Sequence, residues 1–272
     1  MPRGSLKLSE LKSEIDDAFV AREVISFVMG WDYTEFVTAE QIDKKRASRV
    51  RKLVKRIKTG ETLAYVLGQA WFYDLAFFVN ENVLVPRADT EVLIEAVRAH
   101  ATKDSKQVLD LCTGSGCVAV TLAKFGFSVV ASDISEEALK VARRNAGRHS
   151  AEVRFVKSNV FQRIKGRFDV IVSNPPYIPT HDIGQEDPAI LQEPRLALDG
   201  GVDGLEYYRV IAREGREFLL KGGFVAVEIG YDQGEKVSQL FRDNAWFDVK
   251  VIKDIAGRGR VVVAWRDEKR ID

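Results

Sequence analysis

The chain has 272 residues, 46% of them apolar and 30% charged, which suits a globular protein with ample material for a core. Its formal net charge of +1 gives no compositional support for nucleic-acid binding, and no apolar run approaches membrane-spanning length. Two cysteines, Cys112 and Cys117, share one glycine-rich turn and form neither a disulfide framework nor a metal-ligand spacing. With no apolar secretory core in MPRGSLKLSELKSEIDDAF, the expected compartment is the reducing cytoplasm.

The first seventy or so residues read as wholly helical. In "SELKSEIDDAFVAREVISFVMG", Leu11, Ile15, Phe19, Val20, Val24, Phe27 and Val28 fall at helical spacing, with Ser9 as N-cap and Gly30 as stop. A second helix is predicted over "TAEQIDKKRASRVRKLVKRIKTG", capped by Thr38 and ending before Gly60. From Lys44 to Lys58 it carries nine Lys or Arg residues and no acid, yet Ala47, Val50, Val54 and Ile57 form one apolar stripe. Such a helix can dock on a core while its basic face meets solvent, or else RNA or an acidic partner.

From about Ala70 to Pro86 the pattern changes to "WFYDLAFFVNENVLVP", where aromatic and β-branched residues around Asn80-Glu81-Asn82 predict a hairpin between two domains. "RADTEVLIEAVRAH" returns to helix, with Asp89 or Thr90 as cap. Beyond Lys106, strands and helices alternate: "QVLDL", "CTGSGCVAVTLAKF", "SVVASD", "SEEALKVARRNA", "EVRFV" and "FDVIVS". After a polar stretch come the helix "LEYYRVIAREGREFLL", the strand "GFVAVEI", the helix "GEKVSQLFRDN", and strands in "WFDVKVIKD" and "GRVVVAW". This alternation predicts an α/β fold with a parallel sheet covered by helices on both faces. The last two strands, joined around Ile255-Ala256-Gly257, are too close for a helical crossover and must pair antiparallel. The predicted organisation is a helical domain over 1–69, a hairpin linker over 70–86 and an α/β domain over 87–272.

"VLDLCTGSGCVA" sets a glycine-rich turn after the first strand of that sheet. Gly114 can take positive φ, Gly116 admits a ligand to the backbone, and amides at the start of the next helix favour an anionic or polar group. Asp133 ends the second strand, where a carboxylate can accept hydrogen bonds from ribose hydroxyls. Gly114, Gly116 and Ala119 also fit the nicotinamide pattern G-x-G-x-x-G/A. Asp110 at the end of the first strand favours S-adenosylmethionine instead, because its charge opposes a pyrophosphate and suits an ammonium group.

"SNPPYIPT" follows the fourth strand of the sheet and reaches the same crevice. Asn174 is driven to an extended conformation by the following proline, while Pro175 and Pro176 lack N–H groups and present carbonyl acceptors. With the Asn174 side-chain oxygen, these acceptors suit the two protons of a substrate –NH2 group, and the Tyr177 ring can lie against its plane. An amide or aromatic amine is a poor nucleophile because its lone pair is delocalised. Holding both protons on carbonyl oxygens favours pyramidal nitrogen and stabilises the positive charge that develops as it is alkylated.

Asn-Pro-Pro-Tyr resembles the motif of amino-methyltransferases that modify adenine bases or glutamine side chains. "YVLGQAWFYDLAFFVNENVLVPRADTEVLIE", "DLCTGSGCVAV", "SNPPYIP", "EPRLALDGGVDGLEYYR", "EIGYDQGE" and "DIAGRGRVVVAW", in this order, resemble the protein-(glutamine) methyltransferases of peptide-chain release factors from about Gly60 to Trp265. The resemblance implies a class I, Rossmann-like methyltransferase domain with a small helical N-terminal domain for substrate recognition. The implied reaction is S-adenosylmethionine-dependent methylation of the amide nitrogen of the glutamine in a release factor's Gly-Gly-Gln motif. It implies that Asn174, Pro175, Pro176 and Tyr177 hold the glutamine amide. Cys112, Thr113, Gly114, Ser115, Gly116, Asp133, Asn159, Val160 and Asn174 are implied to hold the methyl donor, and no metal is implied.

Asn159 and Val160 stand where the family usually has an acid followed by an aromatic residue; Thr62 and Asp74 stand where proline and glycine are usual. His181 reads as a loop histidine. Arg87, Thr90 and Glu91 can line the pocket, or serve as helix cap and surface ion pair, and "LDGGVDG" reads as a glycine-shaped turn. The alternatives are an adenine amino-methyltransferase acting on DNA or RNA, a nicotinamide oxidoreductase and a noncatalytic adaptor.

Overall fold

A computed structural model describes residues 5–267; the outermost residues of the predicted domains, 1–4 and 268–272, lie outside this range. The chain divides after Gly68 into two compact units. In the first unit, helix is interrupted by a two-stranded sheet, which corrects the all-helical expectation. Strand β1 (Ser5–Lys7) pairs antiparallel with β2 (Gln41–Asp43). The helix expected to run from Ser9 to Gly30 is two, α1 (Leu8–Ser13) and α2 (Ala18–Met29). The break falls where Asp17 accepts hydrogen bonds from the amides of Phe19 and Val20 and starts a new helix. Thr38 closes α3 (Tyr33–Thr38), which Asp32 and Glu35 open as a reciprocal capping box. The basic helix is α4 (Lys44–Lys58), capped by Asp43, which accepts from the Arg46 amide at 2.9 Å, and a short α5 (Leu63–Leu67) follows. Leu8, Leu11, Val24, Ile25, Ile42, Ala47 and Val50 form the core of this unit.

The basic face of α4 is partly neutralised within the unit. Arg51 makes a bidentate pair with Glu14, and Lys58 meets Asp16 at 2.9 Å. Arg56 pairs with Glu61, and Arg46 with Asp43.

The second unit opens with a hairpin, β3 (Gln69–Phe72) and β4 (Leu75–Phe78). Its turn is Tyr73-Asp74, both left-handed with φ of 49° and 60°, and not the Asn80-Glu81-Asn82 stretch expected from sequence. Phe72 and Phe77 are buried in the core of this unit, and the Asn145 carboxamide binds both the N–H and the C=O of Phe78.

The helix α6 (Glu91–His100) leads to the main sheet, built from β5 (Gln107–Leu111), β6 (Ser128–Asp133), β7 (Val153–Lys157) and β8 (Phe168–Ser173). β9 (Leu219–Glu228), β10 (Phe247–Lys253) and β11 (Gly259–Trp265) complete it in the order β10-β11-β9-β8-β5-β6-β7. β11 lies antiparallel to both neighbours, as the short final connection requires, and the pairs from β7 through β9 are parallel. Alternate residues feed two cores. Val108, Val170 and Ala226 pack with α6 and with α7 (Cys117–Lys124) on one face. Leu109, Ile171 and Val225 pack on the other with α10 (Glu206–Glu214) and α11 (Gly234–Asp243). Helices α8 (Glu136–Arg148) and α9 (Arg195–Leu198) complete the unit. The helix expected over 205–220 stops at Glu214, because the next turn, Gly215–Phe218, tightens and β9 already begins at Leu219. A Cβ on Gly215 would lie 3.3 Å from the Trp246 ring, so a larger residue in that turn would have to push the ring aside slightly. Among the described residues no helix is long and apolar enough to cross a membrane.

Candidate active site

The strand order reverses between β5 and β8, and a cleft opens at the C-terminal ends of β5, β6 and β8. On the β5 side, Cys112, Gly114 and Gly116 take φ of 58°, 53° and 81°, folding the chain into a tight turn before α7. Asp133 at the end of β6 braces this turn, its Oδ2 accepting from the Gly114 amide and its Oδ1 from the Ser135 amide, each at 2.9 Å. Cys112, Thr113, Gly114, Ser115 and Asp133 line the cleft; Gly116 does not. A Cβ on Gly116 would sit 3.0 Å from Cβ of Ala142, whereas one on Gly114 would meet nothing within 4 Å. The two glycines therefore differ from the sequence reading: Gly114 keeps the cleft open, and Gly116 lets the turn pack on α8.

Asp110 is buried beneath this turn and accepts from the Thr113 hydroxyl at 2.6 Å. Burial pushes its pKa up to about 7, against that hydrogen bond and with added repulsion from Asp133. Burial also raises the pKa of Asp133 itself, opposed by its backbone donors.

Beyond β7, the Ser158 hydroxyl donates to the Val160 carbonyl at 2.9 Å and accepts from the Arg163 amide at 3.0 Å. This clasp leaves Asn159 exposed at the cleft and holds Val160 at φ 43°, a costly conformation for a β-branched residue. The Val160 side chain borders the cleft and packs into the core beside Phe161.

On the β8 side, the Ser173 hydroxyl donates to the Leu111 carbonyl at 2.8 Å, which ties the two strand ends together. Asn174 and Pro176 line the cleft, with Pro175 between them. Asn174 donates through Nδ2 to the Thr90 hydroxyl oxygen at 3.2 Å, which leaves Oδ1 for other partners. The Tyr177 carbonyl accepts from Gln233 Nε2 at 2.9 Å. Its ring packs into the core on the α10 and α11 face, and burial raises its hydroxyl pKa. The residue stays half-buried, with Arg87, Asp89, Arg260 and Glu228 acting on its hydroxyl. Tyr207 also lines the cleft.

"LDGGVDG" forms the support of this segment. The Ile178 amide donates to the Leu198 carbonyl at 3.0 Å, and the Gly200 amide to the Ile178 carbonyl at 2.8 Å. A Cβ on Gly200 would lie 2.7 Å from Cα of Tyr177, and one on Gly204 2.3 Å from the Tyr177 carbonyl oxygen. Only glycine fits against the motif's backbone at both positions.

Asn82, Val83 and Leu84, assigned to a hairpin from sequence, border the cleft, as does Leu196. Tyr207 was recoverable from the helical period of "LEYYR", which buries Tyr208 and points its neighbour elsewhere. Arg87 and Thr90 line the cleft. Arg87 is fixed by an ion pair with the buried Glu193, which also accepts from the Val85 amide at 3.1 Å. Glu91 instead accepts from the Tyr73 amide at 2.9 Å, and His181 is exposed beside Asp182, away from the cleft.

A mostly parallel seven-stranded sheet with one internal reversed strand, a glycine turn after β5 and an acid ending β6 defines a class I S-adenosylmethionine-dependent methyltransferase. A crystal structure of a methyltransferase from Pyrococcus furiosus superimposes with a TM-score of 0.56 at 20% identity, covering 81% of this chain and all of that one. The profile described as Methyltransferase small domain matches residues 87–193, and the profile described as PrmC N-terminal domain matches residues 3–68. The release factor glutamine methyltransferase of Agrobacterium fabrum is 39% identical over 89% of this chain and 88% of its own length. That of Streptococcus pneumoniae is 36% identical over 95% and 98%. The chain belongs to the release factor glutamine methyltransferase family.

Proposed function

We propose that the protein transfers a methyl group from S-adenosylmethionine to the side-chain amide nitrogen of the glutamine in the Gly-Gly-Gln motif of peptide-chain release factors. The observation that carries this reading is the Asn174 carboxamide, held by Thr90 at one end and bordering the same cleft as Gly114 and Asp133. When bound, S-adenosylmethionine supplies an electrophilic methyl carbon on a sulfonium sulfur. The residues present fit it: the open face of Gly114 leaves room for a ligand, Asp133 has lone pairs for ribose hydroxyls, and Asn159 has a donor and an acceptor for an adenine edge. Val160 offers apolar packing there in place of an aromatic stack.

With the Tyr177 carbonyl taken by Gln233, Asn174 Oδ1 and the Pro175 carbonyl are the acceptors for the two amide protons of the substrate. Two carbonyl dipoles on those protons turn the nitrogen lone pair outward and stabilise its growing positive charge. The alkylated nitrogen is acidic enough to release a proton without a dedicated base. Tyr207 adds an aromatic side chain to the wall of the cleft. The N-terminal unit contributes recognition of the protein substrate. The α4 cations without an acidic partner described above, such as Lys44 and Lys52, are the ones available to an acidic or nucleic-acid partner. A translation factor as substrate assigns the reaction to the cytoplasm.

The test is incubation with purified release factor, DNA, RNA and isotopically labelled donor. Label should appear on the factor and vanish when its Gly-Gly-Gln glutamine is replaced by glutamate. Label persisting on that variant, or appearing only on nucleic acid, refutes the assignment. Asn174→Ala should lower turnover roughly a hundredfold or more, with donor binding retained.

A further inference from the structure

We propose that Glu228 is a positioning residue that, with Thr90, dictates which end of the Asn174 carboxamide faces the cleft. The inference rests on the reading of Asn174 as the acceptor of the substrate amide.

The two ends of an asparagine carboxamide have nearly the same shape and opposite hydrogen-bonding character. Turned the wrong way, Asn174 would present its own –NH2 to the –NH2 of the substrate, and the site would lose an acceptor and gain a repulsion. Something behind the side chain must choose the orientation. Thr90 receives the Nδ2 hydrogen bond at 3.2 Å, but a hydroxyl donates as readily as it accepts. Thr90 alone would satisfy either end.

Glu228 removes that ambiguity. It ends β9, is 3% exposed, and its Oε2 has no hydrogen-bond partner among the described residues. The β8–β9 register sets Ser173 opposite Val227, so Glu228 lies one step along from Val227 as Asn174 does from Ser173, and Thr90 and Asn174 are near enough to lower its pKa. An ionised carboxylate accepts only. The Thr90 proton is drawn toward it, the Thr90 lone pairs are left for Asn174, and only Nδ2 can fill that place. Asn174 Oδ1 is thereby turned to the cleft. The charge at the back of the wall sets the polarity of a short hydrogen-bonded chain that ends on the substrate.

The surroundings place Glu228 near its point of titration. Burial raises its pKa to about 7, with hydrogen bonds from Thr90 and Asn174 and the charge of Arg260 opposing, and Asp89 adding repulsion. The other titratable groups facing it are Tyr177, Tyr208 and Cys117. Tyr208 donates to the backbone carbonyl of Glu228 at 2.8 Å and fixes the strand end. Once protonated, Glu228 can itself donate to Thr90, and the order of the chain is released.

The test compares Glu228→Gln, Thr90→Val and Thr90→Ser in the full-length protein with release factor as acceptor. The first two should lower kcat by roughly tenfold or more, the loss expected for one misdirected hydrogen bond, with donor affinity and melting temperature close to wild type. Thr90→Ser, which keeps the hydroxyl, should recover most of that turnover. Wild-type kcat should rise with pH across the region near 7, and this rise should flatten in Glu228→Gln. Wild-type kcat and an unchanged pH profile in Glu228→Gln overturn the inference, as does equal damage from Thr90→Ser and Thr90→Val. If Glu228→Gln fails to fold, the pH profile of Thr90→Val decides the matter: the wild-type rise near 7 should flatten there too, and an unchanged rise overturns the inference. Asn174→Ala serves as the control: full turnover in that variant sinks the acceptor reading itself, whereas loss of turnover there with none in Glu228→Gln sinks only the role of Glu228.

Discussion

One methyl group added to Gly114 or to Gly116, in the turn after β5, should cause two different failures. In Gly116→Ala the new Cβ lies 3.0 Å from Cβ and 3.1 Å from Cα of Ala142, at a φ of 81°. The left-handed conformation costs about 1–2 kcal/mol for a residue with a Cβ. Crowding against a helix backbone adds about 1–3 kcal/mol, because α8 must shift to relieve it. The total of roughly 2–5 kcal/mol should lower the melting temperature by about 5–15 °C in a unit of this size. Gly114→Ala meets nothing within 4 Å and carries only the conformational cost at φ 53°, so it should melt within a few degrees of wild type. Its methyl group lies on the cleft, and donor affinity should fall by roughly tenfold or more. Differential scanning fluorimetry reads the first effect, and calorimetric titration with S-adenosylhomocysteine the second. Wild-type melting of Gly116→Ala together with wild-type binding by Gly114→Ala would refute this division of labour.

Gly204→Ala should be more damaging to turnover than to donor binding, because its Cβ would lie 2.3 Å from the Tyr177 carbonyl oxygen and must displace the Asn-Pro-Pro-Tyr backbone; paired kcat and donor-binding measurements test this. Asp74→Gly relieves a left-handed residue at φ 60° in the hairpin turn and should stabilise the protein by about 0.5–1 kcal/mol, measured by urea unfolding. Asp110 has its folded pKa raised to about 7, so the folded state holds a proton that the unfolded chain has released. That contribution to stability is complete below the unfolded carboxylate value and is lost as pH rises through about 7. Asp110→Asn should therefore flatten the fall in melting temperature between about pH 4 and 7.

The main sheet was legible because its strands are buried on both faces, so apolar runs such as "FDVIVS" stand out without tertiary information. The reversed last strand followed from the length of its connection. Other features depend on partners distant in sequence. Gly114 and Gly116 look equivalent until α8 is placed, since Ala142 alone makes one a packing position. The backbone of Tyr177 is fixed by the 198–204 turn and Gln233, neither of them near it in sequence. The hairpin turn was missed because Tyr73 and Asp74 adopt a conformation for which Asn-Gly is the usual signal. In the first unit the apolar stripes were right and the boundaries wrong, since Asp17, Asp32 and Asp43 as caps carry the breaks.

The position of β11 has a consequence for how the molecule comes into being. β10 is made first, yet in the sheet it touches only β11, which lies between it and β9. A growing chain that has just emitted β10 thus has no strand to pair it with, and β9 keeps a bare edge. Arg260, which joins Asp89 beside Thr90, arrives with that same final strand. The wall behind Asn174 is therefore braced only once β11 has been made and inserted.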